Sequence, residues 1–186
     1  MEYKTILGID PGTSVMGYGI IRTRGKLIEL DNFGVIELHK YVDHHVKLQK
    51  IFERCLYLIE EYKPNEMAIE TPFYGKNVQS MLKLGRAQGV AIAAALYRSV
   101  PVFEYAPRKM KLAITGNGNA SKEQVAAMLK NMLQIKEQFM YLDATDALGV
   151  AVCHHYQCLS PLSAAGSNVK DWGDFIKKNP DRIVNN

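Results

Sequence analysis

Four carboxylates stand out by where they lie. Asp10 closes the apolar run TILGID and is followed at once by Pro11 and Gly12; Glu70 closes EMAIE and is followed by Thr71 and Pro72. An acid at the carboxyl end of a strand, just before a breaker, sits where open α/β sheets place their ligands. If the two strands are parallel neighbours, Asp10 and Glu70 meet at one sheet edge, where they repel unless a cation joins them. Asp143 and Asp146 stand three apart at the start of DATDALGVAV, so a helix projects both from one face. The helix dipole accounts for one acid in a first turn without any function, but two in so apolar a helix call for a partner. Four oxygen ligands without His or Cys suit Mg²⁺ or Mn²⁺ rather than Zn²⁺. Two such ions, about 4 Å apart, activate water and stabilise the leaving oxygen in phosphodiester hydrolysis.

The same GIDPGT stretch, with GYG at 17–19, has a second reading. It resembles the phosphate-binding turn of actin-like ATPases and sugar kinases, which close two such domains over a nucleotide. This chain, at 186 residues, has one such turn and the length of a single α/β domain.

Charge points to a polyanion. Lys and Arg number 23 against 19 Asp and Glu, a net +4. Lys76, Lys83, Arg86, Arg98, Arg108, Lys109, Lys111, Lys122 and Lys130 face only Glu104 and Glu123 in the same stretch, a local balance of +7 that leaves −3 elsewhere. Any one of these lysines reads as a solvated helix face; the group reads as a nucleic-acid surface. Three cysteines, an odd number without framework spacing, and an N-terminus without a leader pattern argue for the cytoplasm. No apolar run approaches the ~20 residues of a membrane span.

Periodicity places these residues on strands and helices. TILGID, GYGIIRT, KLIEL and FGVIEL are short apolar runs between turns, a three-stranded antiparallel meander. Helical spacing from Asp43 to Tyr62 leads to the strand EMAIE; a helix from Asn77 to Arg98 leads to the strand VPVFEYA; another helix begins near Pro107. This alternation predicts a parallel half-sheet. Ser121 caps a further helix with Glu123 in its first turn, and the DATDALGVAVCHHY helix comes last. The fold class expected is α/β, a five-stranded mixed sheet flanked by helices, forming one domain over 1–157. Residues 158–186, including SPLSAAGSN, are expected to form a mobile or weakly docked tail.

ILGIDPGTSVMGYGII, AIETPFYGKN, LKLGRAQGVAIAAA, PVFEYAPRKMK and DATDALGVAVCHH, in that order, resemble the RuvC-type Holliday junction resolvases, on the ribonuclease H-like fold. The resemblance implies a homodimeric, Mg²⁺-dependent endonuclease that cuts two opposed strands of a four-way junction and leaves ligatable nicks. It places the catalytic acids at Asp10, Glu70, Asp143 and Asp146, the four selected above. It also implies that Phe73 contacts junction bases, that Lys111 and Lys122 lie near the scissile phosphate, and that a RuvA/RuvB-type branch-migration complex is a partner. The TP between Glu70 and Phe73 departs from the family pattern, and the family often ends soon after the last helix, before the segment carrying Trp172.

Other features keep two readings. Phe73 and Tyr74 are loop aromatics able to stack on unpaired bases, Tyr74 equally able to cover the core. Lys76 and Arg108 read as backbone phosphate contacts or surface. Gly85, Gly89 and Ala93, with Ala87, Ala91 and Ala95, make two small-residue stripes that suit close packing within the chain, dimerisation, or both. CHHYQC holds Cys153, His154, His155 and Cys158 without standard zinc spacing, and His154 or His155 is near enough in sequence to Asp146 to reach the rim of its site. A non-enzymatic junction-binding module fits the basic middle but leaves the acids without a purpose.

Overall fold

The computed structural model describes residues 2–72, 77–135 and 142–159. Five strands, β1 (Lys4–Asp10), β2 (Val15–Arg24), β3 (Leu27–Glu37), β4 (Glu66–Glu70) and β5 (Val102–Tyr105), form one sheet in the order β3-β2-β1-β4-β5. The first three are an antiparallel meander, while β4 pairs parallel to β1 and β5 parallel to β4. KLIEL and FGVIEL, separate runs in the sequence, belong to one strand. The ladder steps from Ile20↔Asn32 to Ile21↔Leu30, so Asp31 is the extra residue of a bulge that lets β3 continue.

Helices cover both faces. α1 (His44–Tyr62) and α2 (Val78–Tyr97) pack on the face carrying Leu7, Ile9, Met16, Ile20, Met67 and Ile69. α3 (Pro107–Thr115), α4 (Lys122–Met132) and α5 (Leu142–Leu159) pack on the face carrying Ile6, Ile21 and Ala68. Local chemistry sets the helix ends: Asp43 and Asn77 accept from the backbone of Val46 and Ser80, Pro107 opens α3, and Ser121 forms a capping box with Gln124. α5 runs to Leu159, so the expected boundary at 157 falls inside this helix; residues 160–186 lie outside the described residues. Among the described residues no helix is long and apolar enough to cross a membrane.

Alternation along the strands decides which face each acid takes. Leu7 and Ile9 of β1 point to α1 and α2, so Ile6, Gly8 and Asp10 point to α5; in β4, Met67 and Ile69 take the first face and leave Glu66, Ala68 and Glu70 on the second. α5 comes unusually close to that face. A Cβ on Gly8 would stand 2.0 Å from the Ala147 carbonyl oxygen, and one on Gly17 would stand 2.0 Å from that of Asp143. Glycine is needed there so that the helix backbone can touch the strands.

Candidate active site

The last ladder pair between β1 and β4 is Ile9↔Ile69, so Asp10 and Glu70 leave adjacent parallel strands side by side on the α5 face. From the first turns of α5, Asp143 and Asp146 complete the group. Asp10, Asp143 and Asp146 place carboxylate oxygens within 4.8 Å of one another. Glu70 lies beyond that triplet but its charge acts on Asp10, and that of Asp146 acts on it.

Burial, then Glu70 and Asp146, hold the Asp10 carboxyl well above its usual range, against the pull of Lys122. Burial and Asp146 push Glu70 up to about 7. Burial also raises Asp146, opposed by its hydrogen bond from Lys122. The Lys122 ammonium, 2.5 Å from Asp146 Oδ2 and 3.7 Å from Asp143 Oδ1, carries positive charge into the group. One ammonium does not satisfy all the oxygens. Among the described residues Glu70 Oε2 and Asp146 Oδ1 are buried without a hydrogen-bond partner, which ordinarily costs about 1–3 kcal/mol each and more when the group is charged. An oxygen-only donor set with two orphaned buried oxygens fits a divalent ion of the Mg²⁺ or Mn²⁺ kind.

Beside the acids a groove of about 460 Å³ is lined by Glu70, Asp146, Lys111, Lys122, Arg108 and Asn119, among others. α3 brings Lys111 and Arg108 to it, and the capped start of α4 brings Lys122. Three of the basic residues singled out in the sequence thus border the acids. Phe73, Tyr74 and Lys76 lie outside the described residues. His154 does not reach the rim: it bonds Glu66 at the opposite end of β4 from Glu70, because α5 carries it away from Asp146 along the strand.

Two contributors escaped the sequence reading. Lys47 of α1 donates to the Thr13 carbonyl at 3.1 Å and fastens the turn after Asp10. Gly17 pairs with Asp10 across the β1–β2 ladder while touching Asp143, so it sets the distance between two of the acids. The glycines of GYG therefore serve α5. Gly12 closes its own turn, since a Cβ there would stand 1.6 Å from the Val15 carbonyl oxygen.

The raised acids have a consequence for stability. A carboxyl whose folded pKa lies above its unfolded one favours folding at low pH and loses that contribution as pH rises through the folded value. For Glu70, raised from 4.5 to about 7, the contribution amounts to roughly 3 kcal/mol. In EDTA the melting temperature is expected to fall between about pH 5 and 8, Glu70→Gln to flatten that fall, and Mg²⁺ to reverse it at the upper end. A melting temperature indifferent to both pH and Mg²⁺ would mean that these acids do not repel one another in the folded chain.

Residues 6–154 match the family model for the crossover junction endodeoxyribonuclease RuvC. RuvC of Cytophaga hutchinsonii is 62% identical over 180 residues, 97% of this chain and 88% of that protein. RuvC of Porphyromonas gingivalis is 55% identical over 183 residues, 97% of each. Among solved structures, Thermus thermophilus RuvC in complex with a Holliday junction substrate superposes with a TM-score of 0.79 at 29% identity, covering 84% of this chain and 95% of that one.

Proposed function

Since the chain belongs to the RuvC family of crossover junction endodeoxyribonucleases, we propose that it resolves four-way DNA junctions by hydrolysing one phosphodiester in each of two opposed strands, leaving ligatable nicks. Asp10, Glu70, Asp143 and Asp146 would hold two Mg²⁺ ions, for which Mn²⁺ substitutes. The observation that carries this reading is the convergence of four acids, two with orphaned buried oxygens, on one sheet edge beside a cationic groove. When bound, the ions supply an activated water and counter-charge for the leaving oxygen.

The chain's own side chains do the rest. Lys111 and Lys122 line the groove next to the acids and offset the phosphate charge that builds up during cleavage. Arg108, exposed on α3, and Lys76 hold the flanking backbone, while Phe73 and Tyr74 stack on bases opened at the crossover. DNA as substrate implies work in the cytoplasm, where a RuvA/RuvB-type complex would deliver the junction.

Paired cuts call for two sites, and hence for a dimer. α2 turns Ala87, Ala91, Ala94 and Ala95 to the core but leaves Val78, Leu82 and Leu96 exposed at 67%, 59% and 59%. Gly85, Gly89 and Ala93 lie between them on the same exposed side, with nothing within 4 Å of a Cβ built on either glycine. Of the two small-residue stripes, one thus serves the core, and the other supports close approach of a second α2. Leu82→Glu with Leu96→Glu is expected to give a monomer by light scattering and to replace paired cuts with slow single nicks. A variant that stays dimeric would move the interface elsewhere.

Cleavage of an end-labelled mobile four-way junction, beside linear duplex of the same sequence, tests the whole reading. Paired nicks on the junction alone, present with Mg²⁺ and absent in EDTA, are expected. Junction binding without cutting under any divalent ion would favour the binding-module alternative; equal cutting of the duplex would remove the structural selectivity.

A further inference from the structure

A second set of ligand-type side chains converges at the amino end of β4, and the proposed nuclease chemistry uses none of it. Glu66 Oε2 meets His154 Nε2 at 2.5 Å, and Cys158 Sγ, one helical turn further along α5, lies 3.7 Å from the same nitrogen. One ligand atom from each lies within 4.8 Å of the others. His154 is 1% exposed and Cys158 opens to solvent.

We propose that Glu66, His154 and Cys158 form a Zn²⁺ site whose fourth position faces water. Tetrahedral zinc, with bonds of about 2.1 Å to nitrogen and 2.3 Å to sulfur, separates those ligand atoms by about 3.6 Å. The His154–Cys158 pair is already at that spacing. Nitrogen and oxygen ligands stand about 3.4 Å apart around such an ion, so Glu66 must withdraw by just under 1 Å from its present hydrogen bond. Its side chain, 17% exposed at the start of the strand, reaches that spacing by a small rotation about its own bonds.

The surroundings suit the ion. Lys4 pairs with the other Glu66 oxygen, Oε1, which leaves Oε2 for the metal. Tyr105 Oη lies 2.7 Å from His154 Nδ1, and the Phe103 ring stacks on the imidazole at 4.5 Å between centroids. A phenol both donates and accepts. It therefore serves the present tautomer, with the proton on Nε2 toward Glu66, and equally the metal-bound one, with the proton moved to Nδ1. The thiol proton passes to solvent, so one proton is released per ion, and thiolate and carboxylate together balance the two positive charges. Harder ions prefer the all-oxygen cluster at the other end of β4, four residues or about 13 Å away.

The full-length chain, kept in excess Mg²⁺ to occupy the carboxylate cluster, would be titrated with Co²⁺ and then Zn²⁺. One equivalent of Co²⁺ is expected to bind with a thiolate-to-metal absorption band, to release one proton and to be displaced by Zn²⁺. Cys158→Ser should abolish the band, and Glu66→Gln should weaken binding at least about 10–100-fold. Because Cys158 is exposed, its serine variant is expected to fold and to cut junctions at the native rate in Mg²⁺, separating this site from the nuclease site. A band that persists in Cys158→Ser, or no binding of Co²⁺ or Zn²⁺ by the native chain, would overturn the site.

Discussion

Asp10→Asn is expected to leave the fold and junction binding intact while lowering cleavage by at least about 10²–10³-fold, the scale on which loss of one transition-state stabiliser is felt. The amide keeps the shape of the carboxylate, so packing on the α5 face is undisturbed. It also removes a charge from a group in which burial, Glu70 and Asp146 already disfavour ionisation of Asp10. The metal-free variant should therefore melt at a temperature no lower than the native chain near pH 8, even as activity collapses. A structural acid would behave in the opposite way, losing stability with activity. Single-turnover cleavage, gel shift in EDTA and thermal melting separate the cases; near-native cutting would remove Asp10 from the ion-binding set.

Gly17→Ala is expected to cost both stability and rate although it introduces no charge and touches no substrate. A methyl there would stand 2.0 Å from the Asp143 carbonyl oxygen and 2.5 Å from its carbon. Both are backbone atoms, so relief requires the start of α5 to move outward by about 1 Å or more. Overpacking of this kind costs about 1–3 kcal/mol. The same movement separates Asp143 and Asp146 from Asp10, which sits across the ladder from Gly17, and a displacement of about 1 Å at a reacting centre can cost about 10²-fold in rate. More Mg²⁺ should be needed for half-maximal cutting, with junction affinity little changed. A lowered melting temperature with native cleavage and native Mg²⁺ dependence would show that the cluster tolerates the shift.

Much of the architecture was legible because its signals are local. The strand runs and helical stripes needed only periodicity, and β4 and α3 begin or end within a residue or two of where composition puts them. The runs KLIEL and FGVIEL stand apart within β3 because a bulge at Asp31 interrupts the alternation without interrupting the pairing. CHHYQC hides its long-range partner, since rules of ligand spacing consider only neighbours in the chain. Cys153 turns its thiol to the Lys109 carbonyl, while His154 finds Glu66 from 88 residues away.

That Asp10 and Glu70 end strands and that Asp143 and Asp146 share a helix face is written in local signals, because breakers and side-chain periods act over a few residues. That these four meet follows from packing. α5 can lie against β1 and β2 because Gly8 and Gly17 carry no side chain, and it runs opposite to β4 in direction. Eight residues of helix from Asp146 to His154 and four of strand from Glu70 to Glu66 both span about 12–13 Å. One packed pair of elements thus brings acids together at one end and Glu66, His154 and Cys158 at the other, a coincidence of two rises per residue that no local pattern contains.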